Sequence, residues 1–307
     1  MGQLTSLGGV GRIIGIFLGG MLYEGFFRFQ YEGWGFREGA LFYIASLVMF
    51  LSTIPMFFVP EGGIKTQYLV EEKLSIITKH PEEEISSAPA QSLTERQLLR
   101  IFTILIIALM FINFGRNSIA TVYSQYLKLP GLFSIEINSE MISYIANVRS
   151  LSTILIGLLV GIFKKKFGAG ITLLMGVYFA LIFLLLTTFN DLSIVFIGSF
   201  FAGASEVIIM AASYEYAAAL IPEKKRAKGF GIYNASFFLS WGLAGTVIIG
   251  PIVDSLINAE KTEIFAFRVA FYIAMIITGI GFLIFVGLIV YRKKIELQSS
   301  DFTMPPN

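Results

Sequence analysis

Stretches of about 20 mostly apolar residues, each long enough for a helix to cross a bilayer core, return along nearly the whole of this chain. Eight are legible, at roughly 7–23, 40–59, 101–127, 142–163, 170–189, 193–220, 229–252 and 268–291. Lipid offers backbone N–H and C=O groups no partner, so each stretch must satisfy its own as a helix. The expected fold class is all-α, a polytopic transmembrane helical bundle. Composition agrees: of 307 residues 55% are hydrophobic and only 14% charged, where a soluble domain carries about 25% charged residues. So few charges cannot cover a soluble surface, and the expected surroundings are a lipid bilayer.

The same numbers exclude several function classes. A net charge of +2, spread along the chain, does not suit nucleic acid. There is no Cys, and the one His is His80. Disulfides, thiolate metal sites, a His-based metal site and a catalytic triad therefore lack material, and no metal, cofactor or catalytic residue is expected. The start of the chain has no basic region before its first apolar stretch, so no cleaved signal peptide is expected.

Charge between the spans gives an independent reading of topology, because cytoplasmic loops are enriched in Lys and Arg. Lys65, Lys73, Lys79, Arg96 and Arg100 fall in one loop, Lys164, Lys165 and Lys166 in the 164–169 turn, Lys224, Lys225, Arg226 and Lys228 in the 221–228 loop, and Arg292, Lys293 and Lys294 in the tail. The alternate loops hold only Arg28, Arg37, Lys128, Lys261 and Arg268. The pattern predicts a cell-membrane protein with both termini cytoplasmic. The single long polar stretch, 60–97, contains HPEEEISSAPAQS and reads as a solvated linker, with Ile64 to Ile77 as an alternative surface helix.

An ionisable side chain inside a span costs several kcal/mol on most scales and is a functional candidate. Arg116 lies inside 101–127 with Asn113, Asn117, Thr121 and Ser124 at helical spacing, a polar stripe expected to face a cavity or a polar seam. Glu206 lies in FAGASEVIIM, where a carboxyl group out of water favours its neutral form and suits proton coupling; the alternative is a fixed ion pair. Arg149 lies in 142–163 beside Asn147 and Ser152. Arg12 and Glu215, nearer span ends, are expected to snorkel. Trp241, near mid-span, is expected to pack or line a cavity. Tyr126 and Tyr214, near span ends, are expected to anchor at the interface.

Two distant segments share an order of features. GIFLGGMLYEG followed by FREGALFYIA parallels GPIVDSL followed by FRVAFYIA, each with a helix ending at an acid (Glu24 or Asp254), then an outer loop, then Phe-Arg before Phe-Tyr-Ile-Ala. Both copies enter from the same side, which makes a parallel repeat with four spans between them. A six-helix unit then accounts for 101–294 completely, and 1–59 supplies the last two helices of an earlier unit. The expected organisation is a first-bundle remnant at 1–59, a cytoplasmic linker at 60–100, a second bundle at 101–294 and a tail at 295–307. Four helices are expected before Met1.

A parallel repeat of six-helix bundles joined by a cytoplasmic linker resembles the major facilitator superfamily, of which the chain would match the fifth to twelfth helices. Gly2, Gly11, Gly15, Gly19 and Gly20 fit the spacing of the family's antiporter-type signature, with Ile16 in the place of its Pro. GIFKKKFG, from Gly161 to Gly168, stands where the family often has Gly-x-Leu-x-Asp-Arg-x-Gly, with Lys165 in the place of the acid. PEKKRAKGFGIYN and GLAGTVIIGP, which ends in Gly250 and Pro251, resemble the tenth-to-eleventh loop and the eleventh helix. These glycines are expected to serve close helix packing. The resemblance implies a secondary transporter moving a small-molecule substrate by alternating access, with proton-coupled antiport as one mode. It places Arg116, Arg149 and Glu206 on cleft-lining helices, with Arg116 and Glu206 expected to face each other. A non-transporting scaffold or receptor built on the same fold is the alternative.

Overall fold

The computed structural model describes residues 11–16, 43, 46–48, 50, 51, 54, 94–222 and 225–301, and among these there is no strand. The chain divides into two units, Met1–Gly20 with Leu93–Asn307, and Met21–Ser92. In the smaller unit, positions 43, 46–48, 50 and 51 are helical, and Tyr43, Leu47 and Phe50 are exposed. Residues 60–93 of the expected linker, nearly all of the first repeat copy, and Gly2, Gly19 and Gly20 lie outside the described residues, whereas 95–100, expected as linker, are already the first turns of a helix because Thr94 and Gln97 cap it there.

In the larger unit, 11–16 are helical. This unit continues with α1 (Glu95–Ser118), α2 (Tyr123–Leu127), α3 (Ser139–Leu186), α4 (Leu192–Leu220), α5 (Arg226–Ala244), a π-helical turn (Gly245–Ile249), α6 (Gly250–Asn258) and α7 (Glu263–Asp301). Polar side chains start the helices where the chain re-enters the bilayer. The Gln97 side chain accepts from the Thr94 N–H at 2.9 Å, Asn138 from that of Met141 at 2.9 Å, and Asp191 from that of Ser193 at 2.7 Å. Each satisfies an N–H that a helix end leaves open.

All six spans expected between 101 and 291 fall mainly on helix, with turns or bends at 119–122 and 187–189. Glu95–Leu127, Ser139–Leu186, Leu192–Leu220 and Glu263–Ile295 are each long and apolar enough to cross a membrane. Arg226–Trp241 and Gly245–Asn258 form a fifth such unit, bent by 46°. A straight helix of the 48 residues in α3 would run to about 72 Å, over twice the bilayer core. It does not run straight, because Gly168 takes φ 77°, ψ 161°. Before this glycine, Ser152 bonds Phe200 O and Lys164 pairs with Glu215, so the first limb runs parallel to α4. After it, Gly170 lies by Tyr216, Gly176 by Ile208 and Phe183 by Gly198, so the second limb runs antiparallel to α4. The turn expected at 164–169 is therefore a hairpin of two spans, made by one residue in the left-handed region that glycine enters without strain.

Two spans are less regular than the sequence suggests. The expected continuous helix 101–127 stops at Ser118 and resumes at Tyr123. The expected span 229–252 contains the π-turn. These two breaks face each other: a Cβ at Gly245 would collide with the Thr121 hydroxyl and come within 3.2 Å of Ser118 O. Ser and Thr hydroxyls compete for backbone carbonyls, and Ser118 Oγ does so, donating to Gly115 O at 2.7 Å.

The core has two apolar clusters. One joins Leu105, Leu109 and Ile112 of α1 to Ile209 and Tyr216 of α4 and Phe285 of α7. The other joins Tyr126, Ile145, Phe183, Phe267 and Phe271. Tyr126 is fully buried, with its ring 4.8 Å from that of Phe271. It therefore packs inside the bundle and does not anchor at the interface as expected. Leu151, Leu155, Leu158 and Ile162 on α3, with Leu283 and Val290 on α7, point outward, which is where lipid takes the place of a core.

Candidate functional site

Glu206 is in the middle of α4 and only 5% exposed. One turn earlier, Gly203 lets the α3 backbone come into direct contact, with the Arg149 carbonyl where a Cβ would otherwise stand. Ser152 Oγ donates to Phe200 O at 2.6 Å and Thr153 Oγ1 to Gly203 O at 3.3 Å, tying the two helices together at this level. That contact brings the Arg149 guanidinium over Glu206: Nε and NH2 both donate to Oε2, at 3.1 and 2.8 Å.

A second guanidinium arrives from the start of the chain. Arg12 NH2 donates to Glu206 Oε1 at 2.9 Å and NH1 to Oε2 at 3.3 Å. Two oxygens thus receive four N–H donors, an arrangement fitted to an ionised carboxylate. It corrects two expectations. Arg12 does not snorkel away from the protein but binds the buried acid. Arg116 does not pair with Glu206, whose oxygens are already taken by Arg12 and Arg149.

Arg116 remains nearby. It lies in the last turn of α1, where a cation suits the helix dipole, and is 6% exposed. Its charge acts electrostatically on Glu206, Arg149 and Arg12 as one cluster. Yet its Nε and NH1 have no hydrogen-bond partner. Together with Arg149, Asn117, Tyr123 and Ser205 it lines a small cavity of about 30 Å³. Asn117 Nδ2 donates to Ser240 Oγ at 3.0 Å, closing one wall. Asn113 is fully buried, with neither amide atom partnered.

Glu206 itself lines a larger cavity of about 640 Å³. Arg12 and Glu206 form its polar part, and Met210, Tyr214, Tyr233, Asn234, Phe237, Phe238 and Trp241 the rest. Trp241, 49% exposed, lines this space. Tyr214, expected at an interface, stacks on Phe230 with centroids 4.8 Å apart and faces the same cavity. Tyr233, whose hydroxyl is 2.8 Å from Ser213 Oγ, was not visible as a candidate in the sequence, where it sits in a loop-like basic segment.

Of the glycines singled out in the sequence, a Cβ at Gly11 or Gly15 would meet no described atom within 4 Å, and one at Gly250 only the Gly245 carbonyl at 3.6 Å. Pro251 is in the first turn of α6, a position that tolerates its missing N–H. The close approaches fall on Gly115, Gly203 and Gly281, whose added Cβ atoms would meet the backbone of a neighbouring helix, on Gly245 against Thr121, and on Gly176 and Gly229 against the Ile208 and Ile221 side chains. No spacing rule separates these glycines from the others. No group of three or more metal-ligating side chains is present among the described residues.

No curated protein and no solved structure matches the chain. A family model does match, over residues 105–303, and its description is Major Facilitator Superfamily. The match spans the helices that carry Arg116, Arg149, Glu206 and Trp241. This is a multi-pass membrane protein of transporter type, and the chain belongs to the Major Facilitator Superfamily.

Proposed function

We propose that this chain moves a small solute by alternating access, with Glu206 as the hub that changes partners during the cycle. The observation that carries the reading is the double engagement of Glu206 by Arg149 and Arg12 beside a large, partly polar cavity. In the organisation proposed here, Arg149 and Glu206 belong to the second six-helix bundle, and Arg12 to a helix of the first. The Arg149 bond then holds one bundle together, whereas the Arg12 bond links two bundles that must part when the cleft opens.

A buried ion pair is a poor source of stability, because desolvation offsets most of its attraction. That makes it a suitable latch, since its making and breaking differ little in free energy while its geometry is specific. Removing one partner is expensive unless another charge replaces it. The Arg12–Glu206 bond therefore opens when a solute group or a proton takes over one side. Proton coupling in this scheme requires Arg12 to leave first, since a proton on Glu206 competes with four N–H donors. The loops rich in Lys and Arg, including Lys164–Lys166, lie on the cytoplasmic side.

The chain contains no Cys, so one cysteine introduced at Asn234 in the large cavity reports access alone. Alternating access predicts that a membrane-impermeant maleimide labels this site from either side of the membrane, and that Arg12→Gln shifts the balance between the two sides. Labelling from one side only, unchanged by Arg12→Gln, would sink the transport reading and leave a static scaffold or receptor.

A further inference from the structure

Among the described residues, the cluster around Glu206 carries more positive than negative charge. Arg12, Arg116 and Arg149 bring three guanidiniums to the interior of a membrane bundle, and among the described residues Glu206 is the one carboxylate facing them. Guanidinium is not deprotonated in proteins, so the excess positive charge cannot be shed as a proton. An uncompensated buried cation is costly, and such groups are held in proteins where they meet a counter-charge. Arg116 shows the deficit most plainly, being 6% exposed with Nε and NH1 unpartnered.

These donors converge. Arg116 and Arg149 both line the 30 Å³ cavity, with Asn117, Tyr123 and Ser205 as further polar groups. A water needs at least about 10–15 Å³ of such space, so the cavity admits one small polar group and no large one. Glu206, the bonded partner of Arg149, lines the 640 Å³ cavity, whose walls away from Arg12 and Glu206 are largely aromatic and apolar. A small, doubly cationic pocket next to a roomy aromatic one fits a molecule with a single anionic head and an apolar body.

We infer that Arg116 and Arg149 form the binding site for the carboxylate of an organic monoanion whose apolar body lies against Tyr233, Phe237 and Trp241. This rests on the transport reading, and names the solute class. The incoming carboxylate takes the free donors of Arg116 and competes with Glu206 for Arg149. A carboxylate accepts two parallel N–H bonds from one guanidinium, which Arg116 can give without breaking any existing bond. Release of Glu206 from Arg149 then loosens its hold on Arg12, so that the solute itself works the latch.

The test uses the full chain in lipid nanodiscs with Trp34→Phe, which leaves Trp241 as the remaining tryptophan of two. Sodium benzoate is the probe and benzamide its neutral isostere, both read by Trp241 fluorescence. Benzoate is expected to bind saturably at millimolar concentrations or below, and benzamide at least about tenfold more weakly, because hydrogen bonds to charged groups are the stronger kind. Arg116→Gln is expected to weaken benzoate at least about tenfold. Glu206→Gln frees Arg149 of its competitor and is expected to tighten benzoate. These two variants shift affinity in opposite directions, so a general loss of folding cannot imitate the result. Equal binding of benzoate and benzamide, no benzoate binding, or weakening by Glu206→Gln overturns the inference. Tight benzoate binding in a chain whose Asn234→Cys variant labels from one side only would leave the carboxylate site standing and remove the transport reading. Two-sided labelling without benzoate binding would do the reverse.

Discussion

The carbonyl oxygen of Arg149 occupies the space that a side chain at Gly203 would need, and this contact sets the Arg149 guanidinium over Glu206. The carbonyl belongs to the backbone of α3 and cannot swing aside. Gly203→Ala must therefore push α3 and α4 apart, at a cost of about 1–3 kcal/mol for overpacking. A lower unfolding temperature in detergent, together with loss of the benzoate response, is the expected outcome. An unchanged melting curve would show that the helices separate freely at this level.

The two arginines on Glu206 should differ in weight. Arg149 reaches one oxygen with two donors from a packed helix, whereas the Arg12 side chain is 37% exposed. Arg149→Gln is expected to cost about 1.5–3 kcal/mol, the range for hydrogen bonds to a charged group. Arg12→Gln should cost less than Arg149→Gln, because Arg149 still holds Glu206 with two donors when Arg12 is gone. Thermal unfolding of both variants checks the order, and a larger loss for Arg12→Gln would contradict it.

The facing breaks near Gly245 and Thr121 give a rescue test. Gly245→Ala collides first with the Thr121 hydroxyl, a side chain, so Thr121→Ala should recover much of the stability lost. Gly115→Ala collides with Thr278 Oγ1 but also lies within 2.7 Å of the Thr278 N and close to the Ala274 carbonyl. Thr278→Ala should therefore fail to rescue it. A double-mutant cycle on each pair reads the difference.

Asn117 and Ser240 form a side-chain hydrogen bond between α1 and α5, at 3.0 Å. Interhelical bonds of this kind average about 0.6 kcal/mol in a membrane protein. Asn117→Ala should cost about that much in stability. Its larger effect is expected on benzoate affinity, because Asn117 also walls the small cavity.

Topology can be read with the same absence of cysteine. Lys165→Cys in the α3 hairpin and Lys261→Cys between α6 and α7 should react with an impermeant maleimide from opposite faces of a sealed vesicle. Reaction from one face would remove the orientation inferred from loop charge.

The amino-acid sequence by itself determined the spans between 101 and 291 and the turn at 164–169. Lipid cannot bond the backbone, so a long apolar stretch has one outcome, and a basic cluster with glycine between two such stretches marks where the chain turns. It also marked Arg116, Arg149 and Glu206, because a charge inside a span is visible without knowing its surroundings. The tertiary structure alone decided which of them pair. Glu206 is 57 positions from Arg149 and 194 from Arg12, and nothing local favours Arg12 over Arg116 as its partner. That choice depends on helix rotation and on how closely two backbones approach, which here turns on the missing Cβ of Gly203. The breaks at 118–122 and 245–249 were hidden for the same reason. Each span reads as continuous helix from its own residues, and the two irregularities make sense only against each other.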